Sequence, residues 1–121
     1  MDIVLSSKSP LPIYKQIEEC IKSDILSRKL KGDEPLPSIR QLASSLKISV
    51  ITIKNAYEEL EKDGFIYSCP GKGFYVCFFT EAQLRLYKKA IVKQTIENQM
   101  SYLRRMGISE EEIKDVFKNV K

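Results

Sequence analysis

Apolar residues recur at three- and four-residue spacing in five segments of the chain, which is typical of helices with one buried side. Turn-forming residues separate these segments at Gly32–Pro35, Gly64, Pro70–Gly73 and Gly107. The pattern predicts five helices. Three run from about Pro12 to Ser27, from Ser49 to Gly64 and from Thr80 to Met106, and the second and fifth helices begin at Ser38 and Ser109.

Capping side chains support these helix starts. Three starts have the spacing of a capping box, in which a hydroxyl side chain and a Gln or Glu three residues later bond each other's backbone N–H groups. The pairs are Ser38–Gln41, Thr80–Gln83 and Ser109–Glu112.

Two short aromatic and β-branched segments, Phe65–Ser68 and Phe74–Phe79, predict strands around a glycine-rich turn. Only Lys47-Ile48-Ser49 separate the second helix from the third, so the two helices must cross as a helix-turn-helix. The predicted fold is therefore mainly α with a small β hairpin. Residues 1–78 form an N-terminal winged helix-turn-helix, and residues 79–121 form a two-helix C-terminal region.

Composition places the chain among ordinary globular proteins. It has 121 residues, of which 43% are hydrophobic and 30% charged. No apolar run approaches the ~20 residues that span a bilayer. The N-terminus lacks the basic start and apolar stretch of a signal peptide. We therefore expect a cytoplasmic protein with no membrane partner.

The residue types argue against an enzyme. The chain has no His, and its three cysteines, Cys20, Cys69 and Cys77, form no CxxC pair. This excludes Ser-His-Asp triads and zinc sites of the Cys/His type. We expect reduced, mostly buried cysteines, with redox sensing as the alternative, and no metal or cofactor.

Local charge on the third helix suggests a nucleic-acid surface, although the net charge of +4 alone does not. Ile53, Ala56, Tyr57 and Leu60 share one side of this helix. The outer side begins with the hydroxyl of Thr52, the cation of Lys54 and the amide of Asn55. The last turn of the helix is acidic, with Glu58, Glu59, Glu61 and Asp63. A duplex would repel the acidic end and meet the N-terminal end, as in helix-turn-helix docking. In a winged helix, Arg40, Lys47, Lys54 and Lys72 would converge on this side.

Two other interpretations of this surface stay open. Every amphipathic helix has a polar side, Ser38 and Ser49 can act as caps alone, and Gly71 and Gly73 can serve only the hairpin turn. Winged helices also act as protein-interaction modules.

The order and spacing of several segments resemble the GntR family of bacterial transcription regulators. The segments are Pro12-Ile13-Tyr14, Leu36-Pro37-Ser38-Ile39-Arg40-Gln41-Leu42-Ala43, Ala56-Tyr57-Glu58-Glu59-Leu60-Glu61, Gly64-Phe65-Ile66 and Pro70-Gly71-Lys72-Gly73-Phe74-Tyr75-Val76. The resemblance implies that Arg40 contacts DNA, that the start of the third helix contacts bases or phosphates, and that the wing tip approaches the minor groove. Together with the surface described above, the predicted DNA-binding residues are Ser38, Arg40, Ser49, Val50, Ile51, Thr52, Lys54, Asn55, Gly71, Lys72 and Gly73.

The chain departs from the family pattern at two places. Many members carry an Arg after the cap of the third helix, where it recognises guanine, but Val50 and Ile51 stand here. An apolar side chain can contact a thymine methyl group, so we expect a half-site core richer in A·T. The family's Pro-Gly-Asp before Leu-Pro-Ser appears here as Gly32-Asp33-Glu34-Pro35.

The last 43 residues are too few for the large effector domains of many family members. They resemble the short YtrA-like branch, in which two C-terminal helices are thought to serve dimerisation. Intrachain packing of these helices is the alternative. The predicted dimer-interface residues are Tyr87, Ile91, Ile96, Met100, Leu103, Ile113 and Phe117.

We therefore expect a sequence-specific DNA-binding transcriptional regulator. It would be a homodimeric repressor on a pseudo-palindromic operator in double-stranded DNA, in the cytoplasm of a bacterium. The alternatives are a winged-helix protein-interaction module without specific DNA binding, and a regulator that needs an unknown small-molecule effector to bind DNA.

Overall fold

The structure, a computed structural model of the chain, describes residues 1–120. The chain divides into two compact units, one of residues Met1–Thr80 and one that begins at Glu81. The first contains α1 (Ile13–Leu26), α2 (Ile39–Leu46), α3 (Val50–Lys62), β1 (Ile66–Cys69) and β2 (Gly73–Val76). The second contains α4 (Glu81–Arg105) and α5 (Glu110–Phe117).

The first unit has a continuous hydrophobic core. The predicted inner side of α3 is buried, as are the apolar residues of α1 at Ile17, Ile21 and Ile25. Leu42 and Ala43 of α2 and Ile66 and Val76 of the hairpin join them. The prediction of a helix-turn-helix followed by a hairpin is confirmed, and the hairpin packs directly on the core formed by the three helices.

The hairpin differs in extent from its prediction. β1 and β2 pair antiparallel with Ile66 opposite Val76 and Cys69 opposite Gly73. The second strand was expected to continue to Phe79 but ends at Val76. Cys77 N–H still donates to the Phe65 carbonyl at 2.9 Å. Beyond this bond β2 has no further partner in β1, because the chain before Phe65 is the turn at Gly64, with φ +82°, that leads out of α3.

A third segment pairs with the other edge of β2. Asp33 N–H donates to the Val76 carbonyl at 2.7 Å, and Leu36 N–H donates to the Phe74 carbonyl at 2.9 Å. Pro35 forms an isolated bridge with Tyr75. This addition was not predicted, because the sequence around Pro35 has the composition of a turn. Asp33, with φ +64°, adopts the left-handed conformation there.

A buried carboxylate of α1 is paired with two lysines, one of which also reaches the end of α3. Glu18 is fully buried, and its oxygens lie 3.3 Å from Lys15 Nζ and 3.1 Å from Lys22 Nζ. Lys22 Nζ also lies 3.6 Å from Asp63 Oδ2, at the C-cap of α3, and 5.5 Å from the centre of the Phe65 ring. The two lysines offset the buried charge within α1, and the contact between Lys22 and Asp63 links α1 to α3.

Candidate nucleic-acid interface

The turn between α2 and α3 sets the start of α3. Lys47 is the C-cap of α2 in the left-handed conformation, with φ +56°. Ile48 N–H donates to the Ala43 carbonyl at 3.0 Å, and the Ile48 side chain packs against the core. Lys47 is therefore directed to solvent while Ile48 anchors the turn. Ser49 then caps α3, as predicted.

Ser49 and Thr52 bind each other at the N-terminus of α3. Thr52 N–H donates to Ser49 Oγ at 3.2 Å, and the two hydroxyl oxygens lie 2.7 Å apart. Thr52 is half-buried, whereas Ser49 is exposed. Both predicted contact residues therefore already have a local partner, and a phosphate or base would share these hydroxyls.

The outer side of α3 carries the other predicted contacts. Val50 is 49% exposed and Ile51 64% exposed, and Asn55 is exposed as well. Lys54 is exposed, and its Nζ lies 3.9 Å from Glu58 Oε1. That distance corresponds to a weak surface ion pair, so Lys54 can turn to a phosphate at little cost.

The first turn of α2 presents Ser38 and Arg40. The capping box of Ser38 and Gln41 is confirmed: Gln41 N–H donates to Ser38 Oγ at 3.1 Å, and Ser38 N–H donates to Gln41 Oε1 at 2.9 Å. Arg40 is exposed, and within residues 1–120 it forms no ion pair. Its full charge is therefore free to interact with a polyanion.

The wing tip is a tight turn that requires glycine. Lys72 N–H donates to the Cys69 carbonyl at 2.9 Å, with Pro70 and Gly71 between them. Gly71 has φ +76°, as the third residue of a type II turn requires, and Gly73 has φ +110°. Nothing lies within 4 Å of a Cβ built at either glycine. The turn is therefore open to solvent, with the cation of Lys72 at its tip.

Tyr57 connects three parts of this surface, a role that sequence reasoning missed. Its buried hydroxyl donates to the Pro37 carbonyl, just before α2, at 2.7 Å. Its ring meets the Phe74 ring of β2 edge-on, with centroids 5.0 Å apart. Burial raises the pKa of Tyr57 above its usual value, so the phenol stays protonated. The sequence marks Tyr57 only as an inward-facing residue.

The acidic end of α3 is held by neighbouring groups. Glu61 Oε2 accepts hydrogen bonds from the Ser68 backbone and hydroxyl at 3.0 and 2.8 Å, and Asp63 pairs with Lys22. These contacts fasten β1 and α1 to the end of α3 opposite the exposed Val50 and Ile51. The acidic residues thus have structural partners at the end that a duplex would avoid.

The cysteines and acidic groups provide no catalytic or metal centre among residues 1–120. Cys20, Cys69 and Cys77 are free and half-buried, where mostly buried residues were expected. Burial raises the pKa of the Cys77 thiol, which disfavours the reactive thiolate. The described residues contain no group of three or more Cys, Asp or Glu that could hold a metal ion. Nor does any described helix combine the length and apolarity needed to cross a membrane.

The predicted interface residues of α4 lie on two different sides of the helix. At roughly 100° per residue, Tyr87 and Ile91 point about 165° away from the centre of the side that Ile96, Met100 and Leu103 share. The apolar positions predicted on α4 therefore form two shorter stripes on different sides of the helix. Tyr87, Ile91 and Ile96 are exposed, whereas Met100 and Leu103 are half-buried.

An apolar cleft lies between the end of α4 and α5. It has a volume of about 390 Å³ and is lined by Leu103, Ile108, Glu112, Ile113, Val116, Phe117 and Val120. Of the predicted interface residues, Ile113 is buried within its own chain, and Phe117 is 66% exposed. The capping box of Ser109 and Glu112 at the start of α5 is confirmed.

The family model described as bacterial regulatory proteins, gntR family, matches residues 13–76. The repressor YtrA of Bacillus subtilis is 28% identical over 118 residues, which cover 98% of this chain and 91% of that protein. The repressor NagR of the same organism is 39% identical over 72 residues, 60% of this chain, which correspond to only 30% of NagR.

Solved structures match both the full length and the first unit. A GntR family transcriptional regulator from Listeria monocytogenes is 32% identical with a TM-score of 0.76, covering 97% of this chain and 100% of that one. The DNA-binding domain of AraR in complex with its operator ORR3 is 32% identical with a TM-score of 0.54, covering 64% of this chain and 93% of that one.

Proposed function

This chain belongs to the GntR family of bacterial regulatory proteins and is a DNA-binding transcriptional regulator, not an enzyme. From this premise, we propose that it is a homodimeric repressor that binds a pseudo-palindromic operator through the exposed surface of α2, α3 and the wing. The observation that carries the proposal is the exposed Arg40, which forms no ion pair within residues 1–120, together with an α3 N-terminus whose outer side is solvent-accessible.

The proposed DNA-contacting residues divide by chemistry. Arg40, Lys54 and Lys72 are cations for phosphates, and Ser38 and Ser49 add hydroxyls at helix N-termini, where backbone N–H groups and the helix dipole favour an anion. Val50, Ile51, Thr52 and Asn55 occupy the first turns of α3, which contact base edges in helix-turn-helix docking. Gly71 and Gly73 allow the wing backbone to come close to the duplex.

We further propose that the region from residue 79 onward, which includes the second unit, mediates dimerisation. Its α5 carries Ile113, Val116 and Phe117 on one side, and Val120 follows just after the helix, yet of these four only Ile113 is buried in a single chain. Exposed apolar surface of this kind marks an interface. A two-fold dimer would bind two half-sites at once and gain affinity from both. Tyr87, Ile91, Ile96, Met100 and Leu103 would contribute along α4.

Repression, location and ligand control are parts of the same proposal. Occupying a promoter would block transcription, and acting on chromosomal DNA places the protein in the cytoplasm. The repressor names of YtrA and NagR support the direction of regulation. A regulator that depends on a small-molecule effector is the second candidate, because the apolar cleft beside α5 has a volume of about 390 Å³.

Selection from a random duplex library at about 0.1 M salt tests the DNA-binding part. We expect a pseudo-palindrome with half-sites about one helical turn apart. Lys72→Ala should weaken binding to every duplex alike and flatten the slope of log affinity against log salt by about 0.9. Lys118→Ala, an exposed lysine of the second unit, is the matched control and should change neither. Absence of binding even at low salt would identify a protein-interaction module instead.

Sedimentation equilibrium tests the dimer. Phe117→Ser should shift the protein toward monomer, since Phe117 is 66% exposed on an apolar stripe. Ile51→Ser changes a comparably exposed apolar residue outside the proposed interface and should leave the dimer intact. A wild-type protein that stays monomeric at tens of micromolar would refute the dimer.

A further inference from the structure

Two apolar side chains are exposed to solvent in the first turn of α3. Val50 is 49% exposed and Ile51 64% exposed, whereas Ile53, two residues later, is completely buried. A single exposed apolar residue needs no explanation. Here, however, the pair occupies the turn that approaches the base edges in helix-turn-helix docking, so it forms part of the surface that discriminates sequences.

Helix geometry directs Ile51 straight away from the core. The buried side of α3 consists of Ile53, Ala56, Tyr57 and Leu60. At roughly 100° per residue, Ile51 lies about opposite the centre of that side, and Asn55 lies close to the same line. The two residues are separated by about 6 Å along the helix axis, which corresponds to roughly two base pairs of a duplex.

The other side chains in these turns already have local partners. The Thr52 hydroxyl lies 2.7 Å from that of Ser49, and Lys54 lies 3.9 Å from Glu58. Asn55, by contrast, is exposed, and its side chain forms no hydrogen bond with the rest of residues 1–120. On the side of α3 that points away from the core, the groups with no competing contact are therefore the apolar side chain of Ile51 and the amide of Asn55.

We propose that Ile51 contacts the C5 methyl group of a thymine and that the Asn55 amide binds N6 and N7 of a nearby adenine. The inference rests on the proposed DNA binding and specifies its base recognition. An apolar side chain complements the thymine methyl group, and an Asn amide pairs in bidentate fashion with adenine in the major groove. Val50 extends the apolar patch. The half-site core is therefore rich in A·T, with thymine recognised through its methyl group.

Replacing thymine by deoxyuridine tests the methyl contact, because only the methyl group is lost. The probe is the consensus duplex recovered from the random library. In each probe, deoxyuridine replaces the two thymines at one pair of symmetry-related positions, one in each half-site. At one such position, loss of a buried methyl group should weaken wild-type binding about fourfold per half-site. In Ile51→Ala the same substitution should have no effect, which is the coupling expected of two groups in contact.

Two further variants complete the design. Lys72→Ala, a change at a proposed phosphate contact, should bind all duplexes more weakly but keep the full deoxyuridine penalty. Asn55→Ala should lose preference for adenine at one position when the library selection is repeated. Ile51→Ala is not expected to unfold α3, since the site is exposed and Ala is the better helix former.

The outcomes distinguish failure of the methyl contact from failure of DNA binding. Enrichment of a consensus with no deoxyuridine penalty, or with a penalty that Ile51→Ala retains, would overturn the methyl contact and leave DNA binding intact. A core of G·C pairs that Ile51→Ala does not alter would overturn it as well. Failure of the wild type to enrich any sequence would overturn the proposed function and this inference with it.

Discussion

Removing the Tyr57 hydroxyl would test how the DNA-binding surface is held in shape. Tyr57→Phe deletes one oxygen at a fully buried site and leaves the edge-on contact with Phe74 in place. It therefore isolates the 2.7 Å hydrogen bond to the Pro37 carbonyl, which joins α3 to the segment that leads into α2.

The expected cost follows from the group left without a partner. Losing a hydrogen bond while leaving the other member unsatisfied costs about 1–3 kcal/mol. Because Pro37 is half-buried, its carbonyl can be partly hydrated, so we expect about 1.5 kcal/mol. For a unit of about 80 residues, this corresponds to a decrease in Tm of roughly 6–12 °C.

Urea unfolding of the wild type and of Tyr57→Phe measures this free energy. Tyr67→Phe is the matched control, because it removes an exposed phenol that donates to Asp33 Oδ1 at 2.9 Å, and it should cost less. If both variants were equally stable, or Tyr57→Phe were as stable as the wild type, the hydrogen bond to Pro37 would not hold the two segments together.

The same variant has a signature at alkaline pH. Burial raises the pKa of Tyr57 in the folded state above its unfolded value of 10.0. The protonated phenol thus contributes stability that is fully present below pH 10.0 and is lost as the pH rises toward the folded pKa. The wild type should lose more stability above pH 10 than Tyr57→Phe does. Parallel pH profiles of the two proteins would contradict a buried phenol.

Three further predictions concern charge and backbone conformation. The contact with Glu18 raises the pKa of Lys15, so Glu18→Gln should lower this pKa toward its ordinary value, measured by NMR titration. Gly71 has φ +76° and open surroundings, so Gly71→Ala should destabilise by about 1 kcal/mol in urea unfolding, and Gly71→Asn by less. Hydrogen bonds from Ser109 lower the pKa of Glu112, so this box stabilises α5 above pH 4.5 and fails as pH falls through the folded pKa. Ser109→Ala keeps the backbone N–H, which is the larger cause, and should raise the Glu112 pKa only part of the way toward 4.5 in the same titration.

Features with a local cause could be predicted from the sequence. The boxes at Ser38 and Ser109 depend only on residues three positions apart, and both are formed. The inward side of α3 follows from its helical period, and the wing turn follows from the conformational freedom of glycine at positions such as Gly71. These predictions placed the helix-turn-helix and the hairpin correctly.

Features that depend on partners distant in the chain could not be predicted from the sequence. Residues 33–36 join the sheet only because β2 presents a free edge to them, and Pro35 conceals this in the sequence. The role of Tyr57 depends on a carbonyl 20 residues away in the chain. The mutual hydrogen bond of Ser49 and Thr52 is local, yet the same hydroxyls were equally compatible with DNA contacts. Composition and periodicity contain no information about these partners.

The two units differ in how completely one chain buries their apolar residues. The first has a core of buried residues drawn from all of its elements, whereas Leu84 and Ile113 are the only buried side chains among residues 81–120. Leu86, Val92, Met106, Val116, Phe117 and Val120 are each more than half exposed. About 40 residues with so little burial do not form a stable unit alone. If a second copy covers α5, association supplies the missing burial, and the fold of this unit depends on protein concentration. Dilution should then lower the helix content of α4 and α5 together with operator affinity, while the first unit stays folded. Helix content that is constant across the dimer–monomer transition would show that α5 does not need a second copy.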